Sequence, residues 1–122
     1  MKKEINNFFN IKNFSQGIKR ELAKGVNARI FPGVEAMISV VNLQPNAAGK
    51  IHNHPQEQWG IMISGSGIRI QNNDKIPVVE GDFWRTPGGI DHGFIAGKDG
   101  AIIVDVFAPP REEYKKEGKG FK

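Results

Sequence analysis

From Ala36 onward the chain breaks into short apolar runs separated by Gly, Pro and Asn, the punctuation of an all-β domain. The runs predict strands over Ala36 to Leu43, Gln58 to Ser64, Gly67 to Gln71, Ile76 to Val79, Asp82 to Arg85, Gly93 to Ala96 and Ala101 to Phe107. No stretch between them sustains a helical period. Asn72-Asn73-Asp74 and Gly65-Ser66-Gly67 read as turns, because Asn, Asp and Gly tolerate left-handed backbone. Alternation along the last run sets Ile103, Asp105 and Phe107 on one face and Ile102, Val104 and Val106 on the other. Both faces are apolar. In Gln58 to Ser64, Trp59, Ile61 and Ile63 likewise oppose Gly60 and Met62, so the outward face calls for a cover. A homodimer supplies one, and the N-terminal segment is the alternative.

That segment, residues 1–34, scatters Phe8, Phe9, Ile11 and Phe14 among polar residues and predicts no definite structure. The expected division is this segment, packed on the barrel or on a partner subunit, then a barrel over 35–111 and a polar tail over 112–122. Glu112 to Glu117 suits a short helical turn, and Gly118 to Lys122 is expected to fray.

At 122 residues the chain fits one domain with one core. Its apolar stretches are too short to cross a bilayer, and Met1 to Asn13 lacks the apolar run of a secretory signal, so the expectation is a cytoplasmic protein. The net charge of +4 is concentrated partly in Lys115, Lys116, Lys119 and Lys122. No basic stripe interleaves with stacking aromatics, which argues against nucleic acid and leaves an anionic small substrate as the partner the charge suits. With no cysteine, any metal must be held by nitrogen and oxygen.

Those donors are present in a pattern. The chain has three histidines. His52 and His54, two residues apart, share a face of an extended segment and can converge on one ion. Pro55 bends the chain so that Gln58 returns as the next strand starts, and Pro87-Gly88-Gly89 forms a tight turn that projects His92. Glu57 is the other candidate near Gln58, but alternation points it to the opposite face.

Together these residues resemble the two motifs of the cupin superfamily, small β-barrels that hold a metal inside. His52, His54, Gln58 and Gly65 match the first motif, and Gly81, Pro87, Gly89 and His92 the second. Three departures stand out: Gln58 replaces the usual glutamate ligand, Asn46 the opening glycine and Ala96 the closing asparagine. The resemblance implies a jelly-roll barrel and one divalent transition-metal ion (Ni, Zn, Fe, Mn, Co or Cu) on His52, His54, Gln58 and His92. Neutral ligands leave that ion its full charge, suited to Lewis-acid work on an anionic or carbonyl-bearing ligand.

On the residues alone, Asp105 is either a general base prepared by burial or a carboxylate satisfied by Arg29, Arg69 or Arg85. The stretch from Asp105 through Phe107, Pro109 and Pro110 to Arg111, taken with the first motif, is similar to the pectin-degradation (KdgF-type) cupins, which open the ring of unsaturated uronates. That likeness implies an acidic-sugar substrate, catalytic roles for Asp105 and Arg111, and substrate contacts from Phe107 and Arg111. Two other classes fit a cupin of this size: a metal-dependent dioxygenase or other oxidative enzyme, and a non-catalytic sugar- or small-ligand-binding protein.

Overall fold

The computed structural model describes residues 6–121. Eight strands form one strongly bent antiparallel sheet with a single parallel pair: β1 (Ile18–Ala23), β2 (Val26–Pro32), β3 (Met37–Leu43), β4 (Glu57–Gln71), β5 (Asp74–Val79), β6 (Phe83–Thr86), β7 (His92–Ala108) and β8 (Gly118–Lys119). The order is β5-β4-β7-β3-β2-β1-β8, with β6 beside the first part of β4. Hydrogen bonding therefore leaves the barrel open. No helix among the described residues is long and apolar enough to cross a membrane.

Two long strands organise the molecule. β4 and β7 pair from Glu57 and Ala108 through to Gln71 and His92, with register shifts between Met62 and Ser64 and between Gly65 and Gly67. Gly65-Ser66-Gly67, expected as a turn, is thus a bulged passage of one strand. The extra residues bend and twist the pair without ending it. Inward positions supply the core: Ile30, Met37, Val41, Met62, Phe94, Ile103 and Phe107 are all buried.

Both ends of the chain depart from expectation. The barrel starts at Ile18 rather than at residue 35, because β1 and β2 form a hairpin hydrogen-bonded to β3. Leu22, Val26, Ala28 and Ile30 alternate inward from it, and Arg20 takes an inward position as well. The C-terminal residues do not project as a polar tail. Tyr114 is buried, β8 pairs with β1, and Phe121 packs against the core. Arg20 is the anchor: its Nε donates to Gly120 O at 2.8 Å, Nη1 to Glu113 O at 2.8 Å and Nη2 to Lys119 O at 3.0 Å. One buried guanidinium thereby satisfies three backbone carbonyls that a loose strap would leave to water.

On the outer face, Val40 and Val104 are buried while Ile38, Trp59 and Ile61 stay exposed at 43%, 41% and 37%. Phe9 reaches this side and packs against Phe31 in a tilted arrangement with ring centroids 4.6 Å apart. The described residues of the N-terminal segment cover one edge of the outer face, and Ile38, Trp59 and Ile61 lie beyond that cover.

Candidate metal centre and its cavity

His52 and His92 face each other across an isolated antiparallel bridge, closed by His52 N–H to His92 O at 3.0 Å and His92 N–H to His52 O at 2.9 Å. His54 follows two residues on, where the turn before His92 meets it: Gly89 N–H donates to His54 O at 2.8 Å. That turn needs its glycines. Gly89 has φ +82°, and a Cβ on Gly88 would lie 2.2 Å from the Pro55 carbonyl oxygen. The replacement of the opening glycine is explained too, since Asn46 sits at φ +64°, a conformation Asn tolerates better than other side chains.

The three imidazoles converge, with ligand atoms within 4.8 Å of one another. Each Nδ1 donates to a nearby backbone carbonyl: His52 to Lys50 at 2.8 Å, His54 to Gln56 at 3.1 Å and His92 to Ile90 at 2.8 Å. These bonds fix one tautomer and turn every Nε2 lone pair inward, the arrangement of metal-ligating histidines. Burial is the main cause of a lowered pKa in all three, bringing His52 to about 4 and His92 to about 3. The rings are neutral near pH 7, as ligation requires.

Two observations show that the donor set fits a cation. The His92 Nε2 is buried without a hydrogen-bond partner. In addition, Gln58 Oε1 lies 2.9 Å from His54 Nε2. With Nδ1 as the donor, this brings two acceptors together, and a shared cation relieves the repulsion. Gln58 also hydrogen-bonds Asp105, so its amide nitrogen donates to that carboxylate. A glutamate here would set two carboxylates against each other, which gives a physical reason for an amide at this position. Glu57 points away and pairs with Arg85 at 3.0 Å.

Beside the histidines lies a cavity of about 50 Å³ lined by His52, His92, Gln58, Asp105, Phe107 and Arg111, and also by Ser39, Arg69 and Phe121. Asp105 is pushed up to about 6, foremost by desolvation, while Arg69, Gln58 and Arg111 pull the other way. Phe107 is buried, edge-on to His54 at 5.5 Å. Trp59 is on the opposite face, as parity requires. Arg111 is nearly inaccessible and largely committed: Nε bonds Glu113 Oε1 at 2.9 Å, Nη2 donates to the Phe121 carbonyl, and the guanidinium lies 4.0 Å over Tyr114. Its Nη1 alone lacks a partner. Arg69 and Phe121 carry no motif. Arg69 is legible only as a neutraliser of Asp105, and Phe121 reaches the cavity by stacking on His52 at 4.2 Å.

Known proteins share this fold. A 24% identical relative over 96 residues, the pectin degradation protein KdgF of Dickeya dadantii, is matched over 77% of this chain and 87% of its own length. Oxalate decarboxylase of Bacillus subtilis is 35% identical over 91 residues, but the chain spans only 24% of that protein. Among solved structures, KdgF from Halomonas sp. superposes with a TM-score of 0.72 at 23% identity, covering 78% of this chain and 88% of that one. An RmlC-like cupin from Shewanella frigidimarina reaches 0.77 at 22% identity, covering 93% and 99%. The family model for the cupin domain matches residues 39–107, which hold all three histidines, Gln58 and Asp105, and the chain belongs to the cupin family.

Proposed function

We propose that this cupin is a metal-dependent enzyme that opens the ring of an unsaturated uronate or a similar acidic sugar. The observation that carries the reading is a desolvated carboxyl, Asp105, raised to about 6 in a cavity that it shares with two buried guanidiniums and with His52 and His92 of the three convergent histidines. The likeness to KdgF along most of both chains supports it.

One divalent transition-metal ion on His52, His54, Gln58 and His92 would supply Lewis acidity toward the substrate oxygens. Asp105, deprotonated above about pH 6, takes the proton of the anomeric hydroxyl as general base. The carbonyl forms at that carbon, the ring C–O bond breaks, and the ring oxygen leaves as an enolate. Asp105 returns the proton to carbon, giving the linear keto acid with no net gain or loss of atoms. Arg111 offers Nη1 to the substrate, Phe107 packs against a sugar face, and Gln58 holds the Asp105 carboxylate through its amide.

The cavity has room for one or two waters or an ion, far below the roughly 300 Å³ at which ligand pockets begin. A uronate therefore displaces the Phe121 ring as it binds. The same small volume, with the likeness to oxalate decarboxylase, favours a second reading: an oxidative or decarboxylating cupin acting on a compact carboxylate. The first reading includes a cytoplasmic homodimer joined through the exposed outer face around Ile38, Trp59 and Ile61.

The test is to incubate metal-loaded protein with unsaturated galacturonate or guluronate and follow loss of ultraviolet absorbance against a no-enzyme control. Metal-dependent loss, abolished in His92→Ala and Asp105→Asn, is the expected result. Oxygen consumption or carbon dioxide release coupled to turnover of a small carboxylate would support the second reading instead.

A further inference from the structure

Arg69 is an anomaly of the cavity wall. It extends inward from β4, is 5% exposed, and lines the cavity with His52, His92 and Asp105. A buried guanidinium normally has its N–H groups satisfied or its charge paired. Here Nε has no partner. The four ion pairs among the described residues use Arg85, Arg111, Lys115 and Lys119, so Arg69 makes no close ion pair, and the one carboxylate whose charge reaches it is Asp105 across the cavity.

The side chain is nevertheless held in place. Nη2 donates to Thr86 Oγ1 at 2.7 Å, and the Thr86 hydroxyl donates to Gln71 Oε1 at 2.7 Å. Gln71 Nε2 in turn reaches Arg85 O at 2.9 Å, and the Arg69 guanidinium lies 5.5 Å from the centre of the Trp84 ring. Thr86 is wholly buried. Such a chain of supports fixes the guanidinium while leaving one N–H unused, which is how a protein prepares a donor for an absent acceptor. Ser39 Oγ and Arg111 Nη1, also without partners, line the same cavity. Three unsatisfied donors against a single carboxylate, Asp105, define a site built for an anion.

We infer that Arg69 is the residue that selects an acidic substrate, its Nε–H donating to a carboxylate oxygen of the ligand. Arg111 cannot fill this role alone, because Glu113 and the Phe121 carbonyl occupy its Nε and Nη2. Arg111 ties the C-terminal strap over the cavity, and Arg69 reads the ligand from the β4 wall. The inference deepens the uronate reading and rests on it for the class of ligand.

Calorimetric titration of the zinc-loaded full chain with galacturonate and with its neutral counterpart galactose tests the assignment. Wild type should prefer galacturonate. Arg69→Met should weaken galacturonate binding by about ten- to a hundredfold, the loss of one charge-assisted hydrogen bond, and leave galactose within about twofold. Arg69→Lys should restore part of the preference. Zinc content and melting temperature identify variants that have merely lost the fold, and Arg69→Gln serves if the Met variant does so. The inference is overturned if folded Arg69→Met binds galacturonate as wild type does, if both sugars weaken equally, or if wild type shows no preference for the acid. A shift in the acid limb of kcat with KM unchanged would also overturn it, reducing Arg69 to an electrostatic neighbour of Asp105. Arg69-dependent preference without turnover of the unsaturated uronate would support the inference and sink the ring-opening reaction alone.

Discussion

Replacing Asp105 by Asn should make the fold more stable while destroying activity. The side chains are nearly isosteric, and Asn keeps an oxygen to accept the amide N–H of Gln58, so the change removes a charge rather than a contact. Each tenfold change in proton affinity corresponds to about 1.4 kcal/mol. A carboxyl carried from 3.8 to about 6, chiefly by desolvation, therefore places up to about 3 kcal/mol against its charged form in the fold. The sign follows from linkage. The folded carboxyl binds its proton more tightly than the unfolded one, so the wild type loses stability as pH rises from about 4 to about 6 and bears the full penalty above that.

The gain from Asp105→Asn is thus largest at pH 7 to 8, shrinks through pH 4 and vanishes only at about pH 3 and below, where both states hold the proton. Urea denaturation of metal-free wild type and variant across this range measures it, with the histidine titrations common to both proteins. Metal-loaded protein should show a smaller gain, since a nearby cation favours the carboxylate. A variant less stable than wild type at pH 7.5, or a difference that does not change with pH, would refute the account of Asp105 as a desolvated base.

His92→Ala removes the buried Nε2 that lacks a protein partner and should lower metal affinity beyond the roughly ten- to hundredfold typical of outer-shell changes, measured by competition with a chromophoric chelator. With His52 and His92 lowered to about 4 and about 3, protons compete weakly, so wild-type affinity should stay level from pH 8 to 6 and fall only toward pH 4. A midpoint near 6.5 would show the imidazoles to be solvated. Phe121→Ala, which removes the ring stacked on His52, should cost about 1 kcal/mol for a half-buried aromatic and speed metal loss to chelator several-fold, followed by stopped-flow. An unchanged rate would mean that Phe121 does not cover the site.

What was legible in the sequence is what local periodicity encodes. Alternation along β7 places Asp105 and Phe107 with Ile103 on the inner face, and alternation along β4 separates Gln58 from Trp59. The spacing of His52, His54 and His92 brings three imidazoles together because the turn at Pro87 to Gly89 is short and sterically defined. The N-terminal hairpin escaped for a physical reason: Ile18, Arg20 and Leu22 occupy inward positions, and the arginine breaks the apolar stripe. That arginine is buried because its acceptors lie 93 to 100 residues away in sequence, and no local pattern carries such a relation.

The same reason hides the strap. Phe121 follows a lysine- and glycine-rich run that reads as solvent-exposed, and its stacking on His52, its packing against the core and the Arg111 bond to its carbonyl hold it over the cavity. Arg69 was legible as a candidate partner of Asp105, but its place on the cavity wall escaped through register, because the shifts at Met62 to Ser64 and Gly65 to Gly67 break the parity count between Gln58 and Arg69. The motif residues thus describe what can hold an ion, and in the proposed function Arg69, Arg111 and Phe121 govern which ligand reaches it. The second group depends on bulges and on contacts between chain ends, so a cupin can change its ligand through positions that leave both motifs intact.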